Sequence, residues 1–231
     1  MATANGKTSL WIGFASSLSC ALLVLLWIVI GLLVSATEPK WPGQPLEYYG
    51  TLHWIFKALS GVAGWLLMGA VLVSAFSMHE IAERDRKRTS AIAIVFTVAS
   101  VLLVITSVIV QRIYAPLPIA GDPTNYARAI LAAPPSVGWL LENELVVMGV
   151  AAVLFGAAFV LFGVAMQRDQ LQAMARRFLV PTGTTCILAG LSLSIPVGLY
   201  LTIALCIAMA LTFAASNAVL SVMFLRMRHN C

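Results

Sequence analysis

Charge is what this chain of 231 residues has least of: Asp, Glu, Lys and Arg make up 10% of it, where a soluble domain carries about a quarter. With 61% of the residues apolar, a water-facing globular surface is excluded, because no soluble core of this size needs so many. Cysteine is scarce and unpatterned. Cys20, Cys186, Cys206 and Cys231 form neither a CxxC nor a paired framework, and three of them fall inside apolar runs, so they read as small packing residues. Histidine is limited to His53, His79 and His229, too scattered to share a metal or bracket a haem. HExxH, GxSxG, the P-loop and GxGxxG are all missing. No cofactor and no metal are therefore expected, and an enzyme acting on lipids lacks a visible nucleophile.

What is present is a series of long apolar runs with basic residues at their ends. The formal net charge of +5 does not point to nucleic acid, since the basic residues do not line one face. They act as orientation signals and attract anionic lipid headgroups. The runs predict an all-α integral protein of the plasma (inner) membrane, one polytopic domain with six spans at about 9–36, 49–78, 89–114, 139–167, 178–194 and 200–225. Val34-Ser35-Ala36 resembles a signal-peptidase site. The apolar run before it is about twice the usual length, so an uncleaved first span is expected.

Residues 178–225 hold no charge, and Pro196-Val197-Gly198 divides them into two crossings. Lys7, the 84–88 cluster, the 168–177 loop and the tail at Arg226 and Arg228 then fall on one side. The positive-inside rule makes that side, and both termini, cytoplasmic. Tyr48, Tyr49, Tyr114, Trp139 and Tyr200 form a belt at the outer interface. Between spans 3 and 4, Asp122-Pro123 opens and Pro134-Pro135 closes a short extracellular helix at 123–132, bearing Arg128.

The stretch from Trp139 to Gln167 carries the most unusual pattern. It begins with Glu142 and Glu144, and Gly149, Gly156 and Gly163 follow at a spacing of seven that leads back to Glu142. One acid thus shares a small-residue seam on which another helix can close. On the second span His53 and Lys57 stand at i and i+4, one face of a helix. Ionisable groups within spans are costly and usually face an interior, so Glu142 is the candidate ion or proton site, Lys57 its countercharge and His53 a titratable neighbour. Glu144 points away from Glu142 and is expected to be solvated.

Thr97, Ser100, Ser107 and Gln111 form a polar stripe on the third span, and Asn217 stands one turn from Ser221 on the sixth. They are either pathway-lining groups or interhelical hydrogen-bonding groups. Two functions follow. One is a small transporter or channel-like protein with an outward polar vestibule around Glu142 and Lys57. The other is an accessory or structural subunit, in which the same residues clamp helices together and the partner is a second copy or another membrane protein.

Overall fold

A computed structural model describes residues 4–37, 51–82, 84–114, 131–166, 170–195 and 198–229, and no strand occurs among them. Among these described residues seven helices are delimited: α1 (Ala4–Ala36), α2 (Thr51–Ile81), α3 (Lys87–Tyr114), α4 (Pro135–Glu142), α5 (Glu144–Ala165), α6 (Gln170–Ser194) and α7 (Leu199–His229). A short 3-10 turn at Arg84–Arg86 links α2 to α3. Helices α1, α2, α3, α5 and α7 hold stretches long and apolar enough to cross a membrane, as in a helical membrane protein. Helix α6, with 25 residues, reaches about 37 Å by helical rise, but Gln170, Gln172, Arg176, Arg177 and its threonines leave it more polar than the other five.

The six long helices form a closed ring. Each packs on the next, α1 on α2, α2 on α3, α3 on α5, α5 on α6 and α6 on α7, and α7 returns to α1. Polar side chains fix one end of this ring. Ser9 donates to the Glu80 carboxylate, Gln172 Nε2 to the Ile81 carbonyl at 3.2 Å, and Arg86 Nη1 to the Val164 carbonyl at 3.1 Å. Lys87 Nζ donates to the carbonyls of His79 and Glu80, and the Arg228 guanidinium lies 4.7 Å from the centre of the Trp11 ring. Cations thus sit against C-terminal carbonyls of α2 and α5, where the helix dipole favours positive charge. These contacts gather the starts of α1, α3 and α6 with the ends of α2, α5 and α7. Successive long helices therefore alternate in direction, and all the described basic clusters lie at one end, the basic end.

Packing is tightest near the basic end, where Met78, Phe162, Met166, Leu179, Leu220, Met223 and Phe224 are fully buried. Gly13 lets α7 close on α1 there, since a Cβ at this position would lie 2.6 Å from the Phe224 ring. The α5–α6 pair is closer still. A Cβ on Gly156 would stand 2.5 Å from the Gly183 carbonyl oxygen, and one on Gly149 would stand 2.5 Å from that of Gly190. The spacing of seven is thus matched by a second glycine pair on the antiparallel neighbour.

Several boundaries differ from the sequence reading. The helix expected at 139–167 is two helices, broken at Asn143, whose backbone N–H and side-chain Nδ2 both donate to the Trp139 carbonyl. Such local bonding competes with helix propagation. The loop expected at 168–177 is helical from Gln170, because Gln, Leu, Ala, Met and Arg are good helix formers, so α6 starts eight residues earlier than position 178. The helices at the basic end also extend past the apolar runs, α2 to Ile81 and α7 to His229. Helix α6 ends at Ser194 and α7 begins at Leu199, with Gly198 at φ 103°, where glycine is favoured, while Pro196 and Val197 lie outside the described residues. The extracellular helix expected at 123–132 and Arg128 lie outside the described residues, apart from helical Leu131 and Ala132.

Candidate functional site

At the axis of the ring is a chamber of about 240 Å³ to which all six long helices contribute. Trp27 comes from α1, Leu67 from α2, Val101 from α3, Phe155 from α5, Cys186 from α6 and Phe213 from α7. Its floor, on the side of the basic end, is a trio of touching rings. Phe155 and Phe159 have centroids 4.8 Å apart, and each lies 5.6 Å from Phe213. Beneath the trio come the buried Phe162 and Phe224, so the chamber is closed toward the basic end. Its walls are apolar. The Ser100 hydroxyl at its edge is committed to the Ala151 carbonyl at 2.8 Å.

The polar stripe of α3 faces inward as a packed seam. Thr97, Ser100 and Ser107 are buried and Gln111 is half-buried. Thr97 donates to the Ala93 carbonyl at 2.9 Å, while Ser100 ties α3 to α5. Asn217 is buried too, its Nδ2 donating to the Phe213 carbonyl at 3.0 Å. On α6 and α7 sequence reading missed a threonine cluster: Thr182 donates to the Thr212 carbonyl, and the Thr185 and Thr212 hydroxyls lie 2.9 Å apart. Their spacing of three residues beside Pro181 was the available signal.

At the end opposite the basic one, Glu142, Asn143 and Glu144 line an open groove of about 700 Å³ with Ser192, Ser194 and Thr202 of the α6–α7 hairpin. Glu142 is exposed and Glu144 half-buried, the reverse of the expected pair. The break at Asn143 takes Glu142 out of the register of α5. Glu144 stands one turn from Met148, which lines the chamber. Lys57 is half-buried on α2 at this same end, and the side chain of His53 lies outside the described residues.

No group of three His, Cys, Asp or Glu side chains among the described residues is placed to hold a metal. No protein-family model matches the chain, and neither a curated protein nor a solved structure matches it. The geometry alone therefore carries the functional reading. An apolar chamber closed toward the basic end can hold a small uncharged molecule, whereas a bare ion there would lose its hydration without gaining partners.

Proposed function

We propose that the chain is a six-span integral protein of the plasma membrane, with both termini cytoplasmic, acting as a small transporter whose binding chamber is the axial cavity. The observation that carries this reading is that one cavity is lined by all six long helices and shut toward the basic end. A ring alternating in direction with its basic clusters gathered at one end fits the positive-inside rule, and α6 becomes a crossing because Gln172, Thr182 and Thr185 are spent on neighbouring helices. Glu142 and Glu144, with Lys57 at the same end of α2, make the outer mouth polar. The cargo is a small neutral molecule, since the chamber offers no counter-charge.

The test is steady-state accumulation of two neutral radiolabelled probes, toluene and glycerol, in energised cells expressing the chain. Expression should change the accumulation of one of them, and Ala210→Phe, which fills the chamber, should restore the level of control cells. Identical accumulation in expressing and control cells for both probes would contradict transport.

The accessory-subunit reading has its own observation. Val62, Trp65 and Leu66 on α2 are exposed, and Gly69 is open among the described residues. Co-purification of a second membrane protein that is lost in Trp65→Glu would favour it.

A further inference from the structure

We propose that the axial chamber holds the end of one acyl chain of an anionic phospholipid, which enters between α2 and α3 from the leaflet at the Lys57 end. This uses the membrane placement proposed above and does not depend on transport. The chamber of about 240 Å³ has the aromatic trio as its floor and little polarity in its wall, where Ser100 already donates to Ala151 and Cys186 is only weakly polar. A water there would need about two to four polar partners. Methylene groups recover the dispersion contacts that an empty chamber forfeits and leave no polar group unpaired. Where such a chamber opens sideways into a bilayer, acyl chains are present at solvent concentration. A transported molecule would then displace this chain end.

The route follows from where the ring is loose. Among the described residues α2–α3 is the loosest of its seams. At the basic end the two helices are tied, His79 Nδ1 lying 2.7 Å from the Ser90 hydroxyl and Lys87 Nζ donating to two carbonyls at the end of α2. The contact they lack therefore lies toward the other end. Burial along α2 agrees. From Val71 onward it buries Val71, Ser74, Ala75, Ser77 and Met78, but among its described side chains before Val71 it buries Ala63 alone. Ala63 stands three turns from Ser74, whose hydroxyl lies 3.0 Å from that of Ser17, so it belongs to the α1 side, where Ile30 is buried as well. Met68 stands about 120° round the helix from Ser74, with chamber-lining Val71 between them, which puts Met68 on the α3 side of the chamber. Facing it on α3 are the chamber residues Val101 and Val104. Lys57 shares the face of Met68 three turns away, with Gly61 and Gly64 between them presenting no side chain to a lipid lying there. The depths fit. Lys57 lies about 35 Å of helical rise from Glu80 at the basic end, so the two mark opposite headgroup levels of a core about 30 Å thick. Met68 is about 16 Å from Lys57, the reach of one leaflet. The Lys57 ammonium carries three donors, enough to meet a lipid phosphate beside a protein partner.

The experiment is photo-cross-linking of the full chain in phosphatidylcholine nanodiscs doped with phosphatidylglycerol or phosphatidylcholine carrying the same diazirine at the end of one acyl chain. Mass spectrometry locates the adducts. They are expected on Cys186 and Phe213, buried chamber residues that lipid outside the ring cannot touch. Phosphatidylglycerol should give about five times as many there as phosphatidylcholine, the preference one lysine near the surface confers. Lys57→Met should remove this preference while the exposed Leu66 and Leu102 keep their adducts. Ala210→Phe and Ala152→Phe both fill the chamber, and each should abolish the interior adducts of either lipid. Adducts confined to exposed residues of the native chain would overturn the proposal, and no variant's folding enters that outcome. Equal interior labelling by the two lipids, or a preference that survives Lys57→Met, would overturn the anionic headgroup. If interior adducts are absent while Ala210→Phe still restores the control accumulation of a probe, transport stands and lipid occupancy is wrong. Interior adducts in a chain that alters the accumulation of neither probe would mean the reverse.

Discussion

Gly156→Val should unfold the α5–α6 half of the ring at temperatures where the native protein is intact. The Cβ alone would stand 2.5 Å from the Gly183 carbonyl oxygen and 2.8 Å from the Ile187 nitrogen, both backbone atoms that no rotamer change can move. The helices must separate, and separation loses contacts along the most extensive helix pair of the fold. Overpacking a well-packed site costs about 1–3 kcal/mol, and a backbone clash at a crossing point belongs at the upper end or beyond. Gly183→Val should be as damaging, since its Cβ would meet the Gly156 carbonyl at the same distance. The double variant should be much less than additive, because one separation relieves both clashes. Gly69→Ala is the control. No described atom lies within 4 Å of its added methyl, so the variant should gain the roughly 0.5–1 kcal/mol that alanine holds over glycine inside a helix. Thermal unfolding in detergent reads all four.

The second large effect is expected at Phe224, fully buried where α7 meets α1. Phe224→Ala should cost about 3–5 kcal/mol, the range for a phenyl ring removed from a packed core. Its partner is a space rather than a side chain. At Gly13 an added Cβ would lie 2.6–2.8 Å from three atoms of the Phe224 ring, so Gly13→Ala should also destabilise. Combining Gly13→Ala with Phe224→Leu should cost less than the sum of the singles, because the smaller side chain vacates the position that the new methyl takes. Strict additivity would mean that this crossing does not close as described.

These two sites show what the sequence disclosed and what it hid. The repeat of Gly149, Gly156 and Gly163 was legible as a seam because glycine spacing reports close approach without any knowledge of the partner. Gly183 and Gly190 lay unread in an uncharged stretch of common small residues. The interior face of each helix was not legible at all. On α1, Leu22, Leu25 and Leu26 are exposed while Val24 and Ile30 are buried, although all five are alike in polarity. Where both faces meet an apolar medium, periodicity carries no information about which one is inside. The axial chamber is a property of six such faces and could not be read from any one.

The polar groups were found in the correct helices but assigned contacts that one dimension cannot supply. Helical rise gives the depths of Lys57 and Glu142, yet their partners depend on azimuth, and the break at Asn143 resets that azimuth for Glu142. The break had a visible cause, an asparagine between two glutamates soon after Pro134-Pro135. In the stripe of α3, Thr97, Ser100 and Ser107 are buried and Gln111 is half-buried. At Thr97 and Ser100 the hydroxyls donate to carbonyls, Thr97 within its own helix and Ser100 to α5.

Whether the ring has six spans turns on α6, whose length allows a crossing that its composition alone does not require. Single cysteines placed in a cysteine-free background at Asp85, Ser136, Arg177 and Tyr200 can be probed in intact cells with an impermeant thiol reagent. All four positions are exposed in the fold. A six-span ring with its basic end in the cytoplasm predicts labelling at Ser136 and Tyr200, with protection at Asp85 and Arg177 until the cells are permeabilised. If Tyr200 and Arg177 instead behave alike, both labelled or both protected, α6 does not cross the membrane and the axial chamber is not the interior of a six-span ring.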